Sequence, residues 1–184
     1  MTTPFEVTGG HLTVPVTMED RIRGPLHAPV SLVEYGDFQC PHCASAYPVV
    51  REVMHQRPDT VQFVYRHFPL PNVHPYAEYA AEVSEATAAR DLFWEMHDWM
   101  FEHSADLATT TIRIGLRDLG LQPAVIESEV DSHLYLDKVR SDFVGGVRSG
   151  VNGTPTFYVN GVRLDRGYAV ADLLAAVDER IAVG

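Results

Sequence analysis

Both cysteines of the chain, Cys40 and Cys43, fall within one stretch, FQCPHC at residues 38–43. Two thiols three positions apart can staple the chain, hold a metal, or exchange electrons as a dithiol. A staple is a poor use of this spacing. Disulfides stabilise mainly by restricting the unfolded chain, so a loop this short gains only about 2 kcal/mol, against roughly 3 for fifteen residues. Structural zinc needs four ligands, commonly two cysteine pairs or one pair plus two histidines. The chain has one CxxC and no second pair, and among its nine histidines only His97 and His103 fall at the usual partner spacing, far along the chain from the cysteines. No metal is expected. The third possibility depends on what surrounds the cysteines.

The run Val30-Ser31-Leu32-Val33-Glu34-Tyr35 is short, largely apolar and β-branched, and predicts a buried strand that Gly36 and Asp37 break. From Ala44 to His55 apolar residues recur at helical spacing, and Pro41 suits a first helical turn, where its missing N–H is not needed. Cys40 is therefore expected at a helix N-terminus. Val61-Gln62-Phe63-Val64-Tyr65-Arg66 alternates as a second strand, ended by Pro69 and Pro71. Strand, helix and strand should form a right-handed parallel unit. Residues 1–29 read as a lead-in with a short edge strand, containing β-like pieces such as His11-Leu12-Thr13-Val14. Residues 74–148 are rich in Ala, Glu, Leu and Met with helical periodicity, broken at Gly115, Gly120 and Pro123. A strand at 154–159, an Asn160-Gly161 hairpin turn into Val162-Arg163-Leu164, and a closing helix at 169–182 complete the order. That is β-α-β over 30–73, a helical block over 74–148, and β-β-α over 149–184.

In this setting the dithiol uses what is present. A thiolate at Cys40 faces the unpaired N–H groups and positive end of a helix, which lower its pKa. His42 can add a hydrogen bond or a positive charge. Cys43, one turn on, is close enough to resolve a mixed disulfide. Strand, turn, CxxC and helix inside a βαβ unit is the context that makes this short motif specific.

CPHC at 40–43 resembles the active site of the DsbA-like branch of the thioredoxin superfamily. The stretch from Arg23-Gly24-Pro25 to Glu34-Tyr35 is similar to bacterial DsbA-like proteins that also occur fused to other domains. Gly150-Val151-Asn152-Gly153-Thr154-Pro155-Thr156-Phe157 resembles the family's cis-proline loop. The likeness covers roughly residues 20–180. It implies an α/β thioredoxin fold, a central mixed sheet flanked by helices, with an all-helical insertion between its βαβ and ββα halves. It also implies a protein-disulfide oxidoreductase in which Cys40 is the exposed nucleophile, Cys43 the buried resolving thiol and His42 a stabiliser of the Cys40 thiolate. Pro155 is then cis, placing the Thr154 backbone beside the disulfide to pair with an extended substrate. Glu34, six residues before Cys40, matches a buried acid that assists proton transfer near the second cysteine; a solvated strand residue is the alternative.

The remaining residues bound the function. A formal net charge of −11 repels phosphate backbones and anionic membranes, so no nucleic acid is expected as a partner. No apolar run approaches the roughly 20 residues needed to cross a bilayer. The N-terminus MTTPFEVTGGHLTVPV lacks the features of a secretory signal, and a cytoplasmic protein is expected. Phe93, Trp94, Met96 and Trp99 read as core packing, and His67 and His74 as structural or surface residues. The expected partners are protein or peptide thiols and disulfides, together with a thiol or quinone-linked redox partner; no cofactor is expected beyond the Cys40–Cys43 disulfide. Two rivals stand beside this reading. One is a non-catalytic binding module that senses redox state. The other is a glutathione-dependent isomerase or transferase of the same superfamily, against which the intact CxxC argues.

Overall fold

The apolar strands of the sequence assemble into one five-stranded sheet in a computed structural model that describes residues 10–165 and 167–183. Residues 1–9 of the expected lead-in lie outside the described residues. In chain order the strands are β1 (Arg21–Arg23), β2 (Val30–Gly36), β3 (Val61–His67), β4 (Thr156–Val159) and β5 (Val162–Arg163). Their order across the sheet is β1-β3-β2-β4-β5. β2 and β3 run parallel, from Val30 opposite Val61 to Gly36 opposite His67, joined by helix α1 (Pro41–Gln56). β1 pairs antiparallel with β3, and β4 antiparallel with β2. The central pair is buried on both faces, which is why its sequence reads as nearly continuous apolar runs.

Alternation along β2 and β3 separates two cores. Leu32, Phe63 and Tyr65 face α1, whose Cys43, Ala46, Tyr47, Val50 and Val53 fall on one helical stripe. The closing helix α7 (Val170–Val183) adds Leu173, Ala176 and Val177 to the same side. Val33, Tyr35 and Val64 point the other way, toward Phe143 and the lead-in residues Leu12 and Val16. The buried Arg66 guanidinium fastens that lead-in. It bridges Asp20 at 2.8 and 2.9 Å and donates to the carbonyls of Val14 and Pro15 and to Tyr35 Oη.

The helical block comprises α2 (Ala77–Ala88), α3 (Phe93–Glu102), a 3-10 turn at Ser104–Asp106, α4 (Thr109–Asp118), α5 (Pro123–Asp131) and α6 (Leu136–Arg148). Phe93 and Met96 are core residues, as expected, while Trp94 and Trp99 are half-buried against that core. Two local expectations are corrected. Gly115 does not break a helix; it lies inside α4, where a Cβ would come within 2.6 Å of the Trp99 indole, so the residue is small for packing. The edge strand forms at 21–23 rather than at 11–14. There, His11 makes a single bridge to Val162, while Thr13 hooks onto the end of α6 through Ser149 Oγ and the Arg148 carbonyl. The Asn160-Gly161 turn has positive φ at both residues, 47° and 77°, as a two-residue hairpin of the matching twist requires.

Candidate active site

Cys40 is the N-cap of α1, with extended φ and ψ of −73° and 122°, and Pro41 opens the first turn. Its own amide donates to the Asp37 carbonyl at 3.1 Å, and its carbonyl accepts from Ala44 at 3.0 Å. No side chain caps this helix and no acid occupies its first turn, so its free N–H groups are available to a thiolate. The Cys40 thiol is lowered to about 5. The largest contribution is a hydrogen bond from the Cys43 thiol; the Thr154 side chain and the backbone N–H groups of Cys43 and His42 add to it, against the cost of burial. In the thiol form Cys40 Sγ faces the Thr154 carbonyl at 3.4 Å, and the buried Thr154 hydroxyl has no partner among the described residues, so it can turn toward the sulfur once that ionises.

Cys43 is the opposite case. It is fully buried, and its thiol is pushed well above the ordinary value, first by desolvation and then by donating to Cys40. The asymmetry comes from one turn of helix: Cys40 lies at the positive end, Cys43 on the stripe that packs into the core. Both cysteines are free thiols here.

The Thr154–Pro155 peptide is cis. It brings Thr154 against Cys40, as the resemblance implied. Two other residues differ from expectation. Cys40 is only 4% exposed, not an open nucleophile, because the Thr154 carbonyl and the first turn of α1 wrap its sulfur. His42 is exposed at the surface, and what reaches Cys40 is its backbone N–H.

Glu34 is not a solvated strand residue. It is 2% exposed on the α1 face of the sheet, in register with Tyr65 and Phe157. Its carboxyl is raised to about 8, first by burial and then by the nearby Cys40 charge. Glu34 Oε1 and Tyr65 Oη are both buried with no hydrogen-bond partner among the described residues, and both groups act electrostatically on Cys43 or feel it.

Asp37 is a residue whose role the sequence reading missed, taking it only as a strand breaker. Its buried carboxylate accepts from the amides of Gln39 at 2.8 Å and Leu70 at 3.0 Å and from His74 Nδ1 at 2.8 Å. Gln39 in turn donates to the Leu107 carbonyl and accepts from the Tyr76 amide, tying the cysteine turn to the helical block. A buried carboxylate must be hydrogen-bonded, and an Asp two residues ahead of a polar residue in a turn is a recognisable signal for such a knot. His74 thus has a structural role in the site, and His67 is buried against Glu85 at 2.8 Å.

Because the Cys40 pKa is lowered to about 5, its alkylation by iodoacetamide is expected to rise with a midpoint near that pH and to be level from about pH 7 upward. Cys43 should stay unlabelled in the native state. Mass spectrometry after quenched labelling reads both, and a midpoint near the ordinary thiol value of about 8.5 would refute the thiolate arrangement.

A family model described as Thioredoxin matches residues 17–179. Among curated relatives, the protein named Na(+)/H(+) antiporter NhaA 1 from Salinispora arenicola is 40% identical over 172 residues, 93% of this chain and 26% of that protein. Its namesake from Mycolicibacterium vanbaalenii is 36% identical over 178 residues, 95% of this chain and 29% of that protein. The chain thus spans less than a third of the length of these relatives, and no helix among the described residues is long and apolar enough to cross a membrane. Among solved structures, oxidised BdbD from Bacillus subtilis matches with a TM-score of 0.81 at 20% identity, over 89% of this chain and 93% of that one. Alpha-DsbA1 from Wolbachia pipientis matches with a TM-score of 0.80 at 18% identity, over 94% and 95% of the two chains.

Proposed function

The chain belongs to the thioredoxin family, and on that premise we propose that it is a thiol–disulfide oxidoreductase that passes a disulfide to protein or peptide thiols through Cys40. The observation that carries the reading is the split between two adjacent thiols, one lowered to about 5 at a helix N-terminus and one raised in the core. On this reading Cys40 carries the attacking or leaving sulfur and Cys43 the resolving one.

In the direction that oxidises a substrate, a substrate thiolate attacks Cys40 Sγ of the protein disulfide. A bond forms between the two sulfurs, the Cys40–Cys43 bond breaks, and Cys43 leaves as a thiolate that takes a proton. A second substrate thiolate then attacks the substrate sulfur of the mixed disulfide and expels Cys40 as a thiolate. Two electrons pass from the substrate to the protein pair, and a stable Cys40 thiolate is the better leaving group. In reverse, Cys43 must lose its proton before it attacks Cys40, and Glu34 is the group placed to accept it. Forming the mixed disulfide removes the Cys40 charge that helps keep Glu34 protonated, so Glu34 ionises more readily at the step where a base is needed. The cis-Pro155 loop, with Thr154 against Cys40, is the place where an extended substrate backbone would pair.

Direction follows from the same asymmetry. Each pKa unit by which the reduced form holds its thiolate is worth about 1.4 kcal/mol, or roughly 30 mV for a two-electron couple. A Cys40 thiol lowered to about 5 therefore favours an oxidant.

The test is Cys43→Ser. It should accumulate mixed disulfides between Cys40 and reduced protein substrates, visible as a mass shift that a reductant reverses. Absence of any adduct, or adducts that persist when Cys40 is replaced by serine as well, would sink the assignment. Equilibration of the wild-type pair with glutathione should give a potential well above that of thioredoxin, about −270 mV; a value at or below it would make the pair a reductase.

A further inference from the structure

A cavity of about 340 Å³ opens between the second half of α1, β3 and α3, with Glu34 in its wall. Its walls are otherwise largely apolar: Val50 and Met54 from α1, Phe63 from β3 and Phe101 from α3. Such a volume is more than ten times the roughly 30 Å³ share of one water, and lies in the range of small-molecule sites, which start at about 300 Å³. Two buried polar groups line it, Glu34 and His97, each only 2% exposed, and both carry an atom without a hydrogen-bond partner among the described residues, Glu34 Oε1 and His97 Nε2.

Buried polar atoms are ordinarily hydrogen-bonded, so two such groups in the wall of one apolar cavity equip it to hold a polar ligand. Their chemistry narrows it. His97 Nδ1 stands 2.8 Å from the Asp98 carboxylate, which can only accept, so Nδ1 carries the proton and Nε2 offers a lone pair. Burial keeps the imidazole neutral, lowering it to about 4. Glu34, raised to about 8, is mostly protonated at neutral pH and has a proton to give. Tyr65, the register neighbour of Glu34, meets the His97 ring edge-on at 4.8 Å. Of the cationic groups in the wall, Arg23 is paired with Asp98 and Arg51 with Glu102, and His55 is exposed.

We propose that this cavity is a binding site for a small neutral phenol, its ring held between Phe63, Phe101 and Met54 and its hydroxyl donating to His97 Nε2. An amine would place a cation beside the paired arginines. A simple hydrocarbon would leave His97 Nε2 unsatisfied.

The test is a titration of the full chain with phenol and, separately, with toluene, followed by NMR at the Met54 methyl and at the amides of Phe63 and Phe101. Phenol should give saturable shifts in the millimolar range, with toluene about three- to tenfold weaker, the value of one net hydrogen bond. His97→Phe should abolish that preference, and Met54→Trp, which fills the mouth, should abolish the shifts. If His97→Phe does not fold, Met54→Trp and the comparison of the two probes still decide. No saturable shift, toluene binding as tightly as phenol, or shifts that survive Met54→Trp would each overturn the proposal. No thiol takes part in the readout, so the outcome is independent of the exchange reaction.

Discussion

Cys40→Ser is expected to lose thiol–disulfide exchange completely, with insulin reduction and oxidation of a reduced protein both at the uncatalysed rate. Serine keeps the shape of the N-cap and is itself a favoured cap residue, so the fold should survive. What disappears is the sulfur. A hydroxyl stays protonated at neutral pH, forms no disulfide and cannot leave from one. The same substitution makes a second, independent prediction about stability. The folded state lowers the Cys40 thiol to about 5, below its value of about 8.5 in the unfolded chain. Ionisation therefore stabilises the reduced fold. That contribution is fully present above the unfolded value and is lost as pH falls through about 5. Denaturant titrations of the reduced wild type and the variant should thus diverge as pH rises from about 5 toward 8.5, with the wild type more stable. Residual exchange in the variant, or parallel stability curves across that window, would contradict the role given to Cys40.

Glu34→Leu should slow the chemistry and stabilise the protein. The carboxyl is buried with Oε1 unpaired among the described residues, and leucine would remove that buried polar group. Its folded pKa, about 8, lies above the unfolded value of 4.5, so its contribution is fully present below 4.5 and is lost as pH rises through 8. At pH 7 the cost of holding this acid in its buried place is on the order of 3 kcal/mol. The variant should therefore melt higher than the wild type, by a margin that widens between about pH 4.5 and 8 and then levels. Resolution of a preformed mixed disulfide by Cys43 should fall by about a hundredfold, the scale of one positioned proton acceptor. Stopped-flow release of a thiol reporter measures that step directly. A margin independent of pH would mean that Glu34 is not a raised acid, and unchanged resolution would remove it from the proton path.

How much of this was legible beforehand differs between local and distant features. The parallel pair, α1 and the hairpin turn follow from runs of β-branched residues, helical spacing and the Asn-Gly pair, all signals within about ten residues. Gly115 was misread because a mid-helix glycine and a helix end look alike in sequence; only Trp99, sixteen residues earlier, explains it. The strand at 21–23 was misplaced because its partner, β3, lies some forty residues on, and three residues carry too little pattern to locate an edge.

The active site divides along the same line. The sequence alone determined that Cys40 and Cys43 form a dithiol at a helix N-terminus, since spacing, Pro41 and the preceding strand are adjacent along the chain. It could not determine that Cys40 is wrapped by Thr154, which lies 114 residues away. Nor could it show that the backbone rather than the imidazole of His42 serves the thiolate, or that Asp37 knots the turn through Leu70 and His74. Whether Glu34 was buried or solvated was likewise decided only when α1 closed over that face of the sheet. The physical reason is that nucleophilicity and basicity depend on solvation and on charges within a few ångströms, and in a folded chain those neighbours are set by packing, not by order along the sequence.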